Sequence, residues 1–250
     1  MKTFLLILTA ILFVCCSVRE DNKAAQMVKE LNTTDTFHFE FPFYKYKYRT
    51  DSSLYFSKLE YDSLLGISNM INGVDSIEIR IWFGYTTYID TFHLLAFKIE
   101  KGKWSGQVCT LIDKWEYYER KNNLENNPWR EDSIVHASIK KNCIAKEPKS
   151  GWDKFIKNFF ELGILTLADV ADIEGWKHGL SSHSTGPTIE IATKNTYRYY
   201  RYYDLDTVYN NFWQTKNICE IIELLKKEFN FKLILEQCYT DSDIMVDTTD

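Results

Sequence analysis

Several things this 250-residue sequence does not contain bound what it can be. No strongly basic domain stands out and the formal charge is only -5, so nothing supplies the phosphate contacts a nucleic-acid binder needs. No C-x-x-C pair occurs among the six cysteines, which leaves a zinc ribbon or a thioredoxin-type site without its motif. Nothing matches a phosphate-binding loop, a nucleotide-binding glycine pattern, a nucleophile elbow or a zinc-protease helix. Internal repeats and low-complexity tracts are absent too. No residue is therefore assigned to catalysis, to a metal or to a cofactor.

What is there reads as a folded globular protein, with 45% hydrophobic and 16% aromatic residues. From Phe37 to Phe43 phenylalanine alternates with His38, Glu40 and Pro42. Tyr44, Tyr46 and Tyr48 then alternate with Lys45, Lys47 and Arg49. The apolar phase slips by one between Phe43 and Tyr44, which a β-bulge would absorb, and Pro42 favours an edge position. A helix is expected in the later half of 54–71, ended by Asn72-Gly73. Three strands follow at 76–85, 91–100 and 104–115, an antiparallel meander joined by short connections. The polar break at 122–128 is the best internal boundary. A short strand near 133–139 comes next, then a helix over 151–162 with Ser150 as its cap and Gly163 as its stop. Asn211 is placed to cap a helix running to about Phe229, whose stripe is Ile218, Ile221, Ile222, Leu225 and Phe229. A closing strand is expected over 231–235. Strand runs and helix runs do not alternate regularly, so the expected class is α+β, a mainly antiparallel sheet with helices packed on one face.

The most distinctive stretch is 187–204. Thr188 to Thr193 alternates branched and polar side chains, and Tyr197 to Tyr203 holds five tyrosines and two arginines in seven residues. A hairpin is expected here, with Asn195 the residue best suited to a left-handed turn. A two-residue loop sets Ile191 opposite Arg198 and Ile189 opposite Tyr200. A three-residue loop sets Ile191 opposite Tyr199, and it is preferred because it keeps an arginine off the isoleucine face. Either way both faces of the second strand carry tyrosine. One face packs on a core; the other is solvated, covered by a second layer, or holds a ligand. With Trp176 nearby in sequence, Trp176, Tyr197, Arg198, Tyr199, Tyr200, Arg201 and Tyr202 form a candidate ligand surface, able to stack on sugars or to serve as a protein hot spot.

The N-terminus speaks to compartment. Met1-Lys2-Thr3 is a short basic start, and Phe4 to Val14 is an apolar run of eleven residues. That is too short to span a bilayer and right for the core of a signal peptide. Cys15 and Cys16 follow, then Ser17, Val18, Arg19, Glu20 and Asp21. This arrangement resembles a bacterial lipoprotein signal, in which the chain is cut before a cysteine that receives lipid. The resemblance covers about twenty residues. It implies lipidation at Cys16, with Cys15 as the small residue before the cut; lipidation at Cys15, which has Leu12 at the matching place, an ordinary secretory peptide and an uncleaved anchor are the alternatives. The parts are then a signal peptide at 1–15, a tether at 16–35 and a globular domain at 36–250. Removing the signal takes away Lys2, its only charged residue, and brings the formal charge to -6. Ser17 lacks the aspartate that resembles an inner-membrane retention signal, so the implied site is the outer membrane, periplasmic or surface-facing.

An exported chain retaining Cys109, Cys143, Cys219 and Cys238 has two disulfides available in three connectivities, with buried free thiols the alternative. The remaining candidates for chemistry are few. His178 and His183 lie in the loop before the hairpin, with Asp172 and Glu174 the nearest carboxylates, but a metal needs a third ligand in defined geometry. Ser182 and Ser184 beside His183 are in no strand-turn-helix context. The expected function is a lipid-anchored envelope protein that binds a glycan or protein ligand and touches the membrane through its lipid. A hydrolase of envelope polymers and an inhibitor or immunity-type protein are the alternatives.

Overall fold

A computed structural model describes residues 36–40, 61–84, 91–118, 133–176, 186–202, 205 and 212–231. Seven strands form one sheet: β1 (His38–Glu40), β2 (Ile77–Phe83), β3 (Thr91–Glu100), β4 (Lys103–Tyr118), β5 (Ser133–Ala145), β6 (Thr188–Thr193) and β7 (Thr196–Arg201). Their spatial order is β1-β7-β6-β2-β3-β4-β5. Every neighbouring pair is antiparallel except β1 with β7. Helices α1 (Trp152–Glu161) and α2 (Trp213–Phe229) complete the α+β architecture. The meander is present in the expected place. The break at 122–128 separates β4 from β5, which pair with each other along most of their length.

Period-two alternation puts Ile77, Ile79, Ile81 and Phe83 on one face of β2. There they join Leu95, Phe97, Ile189 and Ile191 beneath both helices. Phe97 is the centre of this layer, with ring centroids 5.3 Å from Phe155, 5.8 Å from Phe159 and 5.1 Å from Phe229. Gly106 on β4 lets Trp152 lie close over the strand, since a Cβ there would fall 2.7 Å from the indole and 2.8 Å from the Lys146 carbonyl. The opposite face is covered as well. Residues 61–65 are helical, and Tyr61 and Leu65 pack on Trp82, Phe92, Leu94, Cys109 and Leu111. Met70 packs beside Ala192, Tyr197 and Tyr199.

Local details depart from the sequence expectations in several places. Ser150 does not cap α1: the cap position is Gly151, without a side-chain bond, and the Ser150 N–H instead donates to the Glu228 carboxylate at 2.8 Å. Phe212 precedes α2, and Asn211 lies outside the described residues. The strand expected near 133–139 continues to Ala145. Left-handed Asn230 ends α2; of the expected strand 231–235 only Phe231 is described, and it is not in a strand. The slip between Phe43 and Tyr44 also lies outside the described residues.

Candidate functional site

The hairpin 188–201 forms, but in the other register. Ala192 pairs with Tyr197, Ile191 with Arg198 and Ile189 with Tyr200, which leaves the two-residue loop Lys194-Asn195. The preference for a longer loop is overturned, and Asn195 is not left-handed. The loop is held by other bonds: the Asn195 N–H donates to Thr193 Oγ1, and the Asn195 carbonyl accepts from His38 of β1.

Arg198 is tolerated beside isoleucine because its guanidinium is fully engaged. Nε donates to Glu40 Oε2 at 2.9 Å, Nη1 to the Leu165 carbonyl at 3.0 Å and Nη2 to the Leu167 carbonyl at 2.5 Å. Its carbon end lies 4.6 Å from the centre of the Tyr200 ring. The aliphatic stem covers apolar surface while the head finds oxygens, as long cationic side chains do. One arginine thus ties β7 to edge strand β1 and to the segment that follows α1.

The tyrosines divide between the two faces, and all four described ones are interior. Tyr200 and Tyr202 point into the layer under α1 and α2, where their hydroxyls donate to the carbonyls of Ile164 and Ala168. Tyr197 and Tyr199 point into the second layer, and the Tyr197 hydroxyl donates to Glu190 Oε1 at 2.7 Å. None of the four is more than 2% exposed. Burial raises the phenol of Tyr200 well above its usual range and raises Tyr202 as well. Trp176 is also buried, stacked on Phe212 at 5.2 Å and edge-on to Tyr202. Arg201 is half-buried, its backbone N–H held by the Asp169 carboxylate. The candidate surface is thereby corrected. Several of its members do come together, but inside the protein, because residues 164–176 cover one face of β7 and residues 70–74 lie over the other.

A constellation that the sequence reading passed over lies in the second layer. Arg80 on β2 is 1% exposed and stands directly across from Glu190 on β6. It donates to Glu78 Oε1 at 2.7 Å, Asp62 Oδ1 at 3.2 Å and the Ser68 carbonyl at 2.6 Å. Glu190, with no exposed surface, accepts from Trp82 Nε1 at 2.8 Å as well as from Tyr197. The only signal in sequence is that these charges occupy the alternate positions of strands whose other positions are isoleucine. Polar groups at such positions are ordinarily solvated, so nothing local marks them as buried.

Each of these groups is satisfied by a neighbour, which is how a buried polar network sets packing. Among the described residues no three His, Cys, Asp or Glu side chains are placed to hold a metal, and no helix is long and apolar enough to cross a membrane. Asp172 and Glu174 are both exposed, in and just after the 3-10 turn Val170–Asp172. Cys16, His178, His183, Ser182 and Ser184 lie outside the described residues.

Cys109 and Cys143 are directly paired positions of β4 and β5 and are joined by a disulfide; Cys219 is disulfide-bonded too. Comparison of the chain with protein-family models, with curated proteins and with solved structures returned no match.

Proposed function

We propose that this is an exported, lipid-anchored envelope protein whose globular domain binds a glycan or protein partner. The observation that carries the export half is disulfide bonding. Two cysteines 34 positions apart meet across β4 and β5, and Cys219 is bonded as well. Such bonds persist in oxidising compartments and are rare in the cytosol, which agrees with the lipoprotein-like signal ending at Cys16. The preference for binding over catalysis rests on the carboxylates. A glycoside hydrolase needs two acids converging on an open site. Asp62, Glu78 and Glu190 do converge, but on Arg80, Trp82 and Tyr197 within a packed layer. The recognition surface is accordingly sought outside Tyr197–Tyr202.

Anchoring is tested by detergent phase partition of the wild type and Cys16→Ala. A single acyl chain binds a membrane only marginally, so stable anchoring needs more than one chain on the cysteine. The wild type should enter the detergent phase, and the signal-cleaved variant should stay in the aqueous phase. A cleaved variant that still partitions with detergent removes lipidation at Cys16.

A further inference from the structure

One ionisable group in the interior takes no part in either network. His93 on β3 lies between Phe83 of β2 and Thr110 of β4, on the face that α1 and α2 cover. It is 9% exposed. Its Nδ1 is 3.1 Å from Thr110 Oγ1, while Nε2 is buried with no hydrogen-bond partner among the described residues. Phe231, just past the left-handed end of α2, meets the imidazole edge-on at 6.1 Å and Phe83 at 5.7 Å. The ring thus meets the residue that follows the end of the helix.

Among the described residues no nearby charge is placed to satisfy it. Beside His93, β2 presents Phe83 and β4 presents Thr110. In the last turn of α2, Lys226 is bonded to Glu223, Glu228 accepts from Ser150, and Lys227 is exposed. On β5, Asn142 stands across from Thr110 and exposed Lys140 across from Ile112. None of these charged groups among the described residues is bonded to the imidazole.

We infer that His93 is an acid-responsive latch: neutral, it lets Phe231 seal the end of α2 onto the sheet, and protonated, it forces that end open. The neutral ring can share one proton with Thr110 and leave Nε2 as a bare acceptor. The imidazolium carries a donor on each nitrogen, and a charged donor buried without a partner is far more costly than a bare neutral nitrogen. Among the described residues no acceptor is left for the second donor, so water must supply one, and Phe231 must lift to admit it. Burial accordingly lowers the basicity of His93 below its ordinary value of 6.5. An opened form recovers that ordinary value, so it binds protons more readily than the closed one. Opening therefore increases as pH falls below 6.5, by up to about tenfold per pH unit.

The test is hydrogen exchange followed by mass spectrometry on the full chain at pH 7.5 and 5.0, corrected for the intrinsic pH dependence of exchange. Wild type should lose about tenfold of its protection in peptides covering 91–100 and 220–231, while peptides from 188–201 hold theirs. The neutral variant His93→Gln should show no such difference. Equal pH-driven loss in the variant overturns the proposal. Should that variant fail to fold, the wild-type imidazole is followed by NMR. Titration below 6.5 together with loss of the contact to Phe231 supports the latch. Titration at or above 6.5, or with that contact intact, overturns it.

Discussion

The two faces of the sheet combine apolar packing and directional bonds in different proportions. The face under α1 and α2 is an apolar interior in which Ile79, Ile81, Phe97, Phe155, Phe159 and Phe229 pack by shape and area. The face under residues 61–74 sets Arg80, Asp62, Glu190, Trp82 and Tyr197 among its apolar groups, joined by directional bonds. The first face has directional bonds as well, those of Arg198, Tyr200 and Tyr202 on β7, but only the second buries a charge network on the central strands β2 and β6. An apolar layer tolerates swaps that conserve volume, because dispersion and burial are non-directional. A buried charge network does not, because the partner left behind keeps its desolvation cost without its bond.

Matched substitutions of similar size should break that symmetry most sharply. Arg80→Met keeps an unbranched chain of comparable reach but abandons Glu78 and Asp62, and should cost about 3–5 kcal/mol. Ile79→Leu, on the neighbouring position facing the other way, should cost less than about 1.5 kcal/mol. Denaturant melts of the two variants decide it. Comparable losses would mean that the Arg80 network adds nothing beyond its volume.

A smaller effect is expected at the end of the sheet away from both β1 and the hairpin. The Cys109–Cys143 bridge closes a long loop and holds edge strand β5, so its loss should cost about 2–4 kcal/mol. The double variant Cys109→Ala, Cys143→Ala measured against wild type gives the number, and peptide mapping without reduction should return this bridge. It should also return a second bridge from Cys219, with Cys238 the partner left if the signal is removed and Cys16 carries lipid as proposed. A double variant as stable as wild type would show that the strand pairing alone fixes β5.

How much of this was legible from sequence follows from the range of the interactions. β2, β3 and the apolar stripe of α2 were readable because alternation and helical spacing are local patterns. The hairpin register was not. It turned on whether Arg198 could sit on the isoleucine face, and its partners Glu40, Leu165 and Leu167 come from distant parts of the chain. The Ser150 cap failed because Gly151 holds the cap position of α1, and the Ser150 N–H is taken by Glu228, 78 positions away. The tyrosine strand looked like a binding surface because tyrosine suits both a wet sheet and a buried one with a bonded hydroxyl. Only the cover supplied by residues 70–74 and 164–176 distinguishes the two.

That cover gives the mildest test, made with base. The hydroxyls of Tyr200 and Tyr202 donate to carbonyls under the helices, and burial is the main cause raising both phenols above their usual value of 10. In an unfolded chain each would release its proton near that usual value. Above it the unfolded state binds fewer protons than the folded one, so stability falls as pH rises. The contribution is intact below pH 10 and declines by about 1.4 kcal/mol per tyrosine for each pH unit above it. Chemical denaturation between pH 9 and 11 should therefore show a falling stability that Tyr202→Phe makes less steep. Tyrosinate absorbance from these rings should appear together with unfolding and not before it. Absorbance from all the tyrosines in a chain that is still folded would mean that water reaches the hydroxyls, and that the layer over β7 is open.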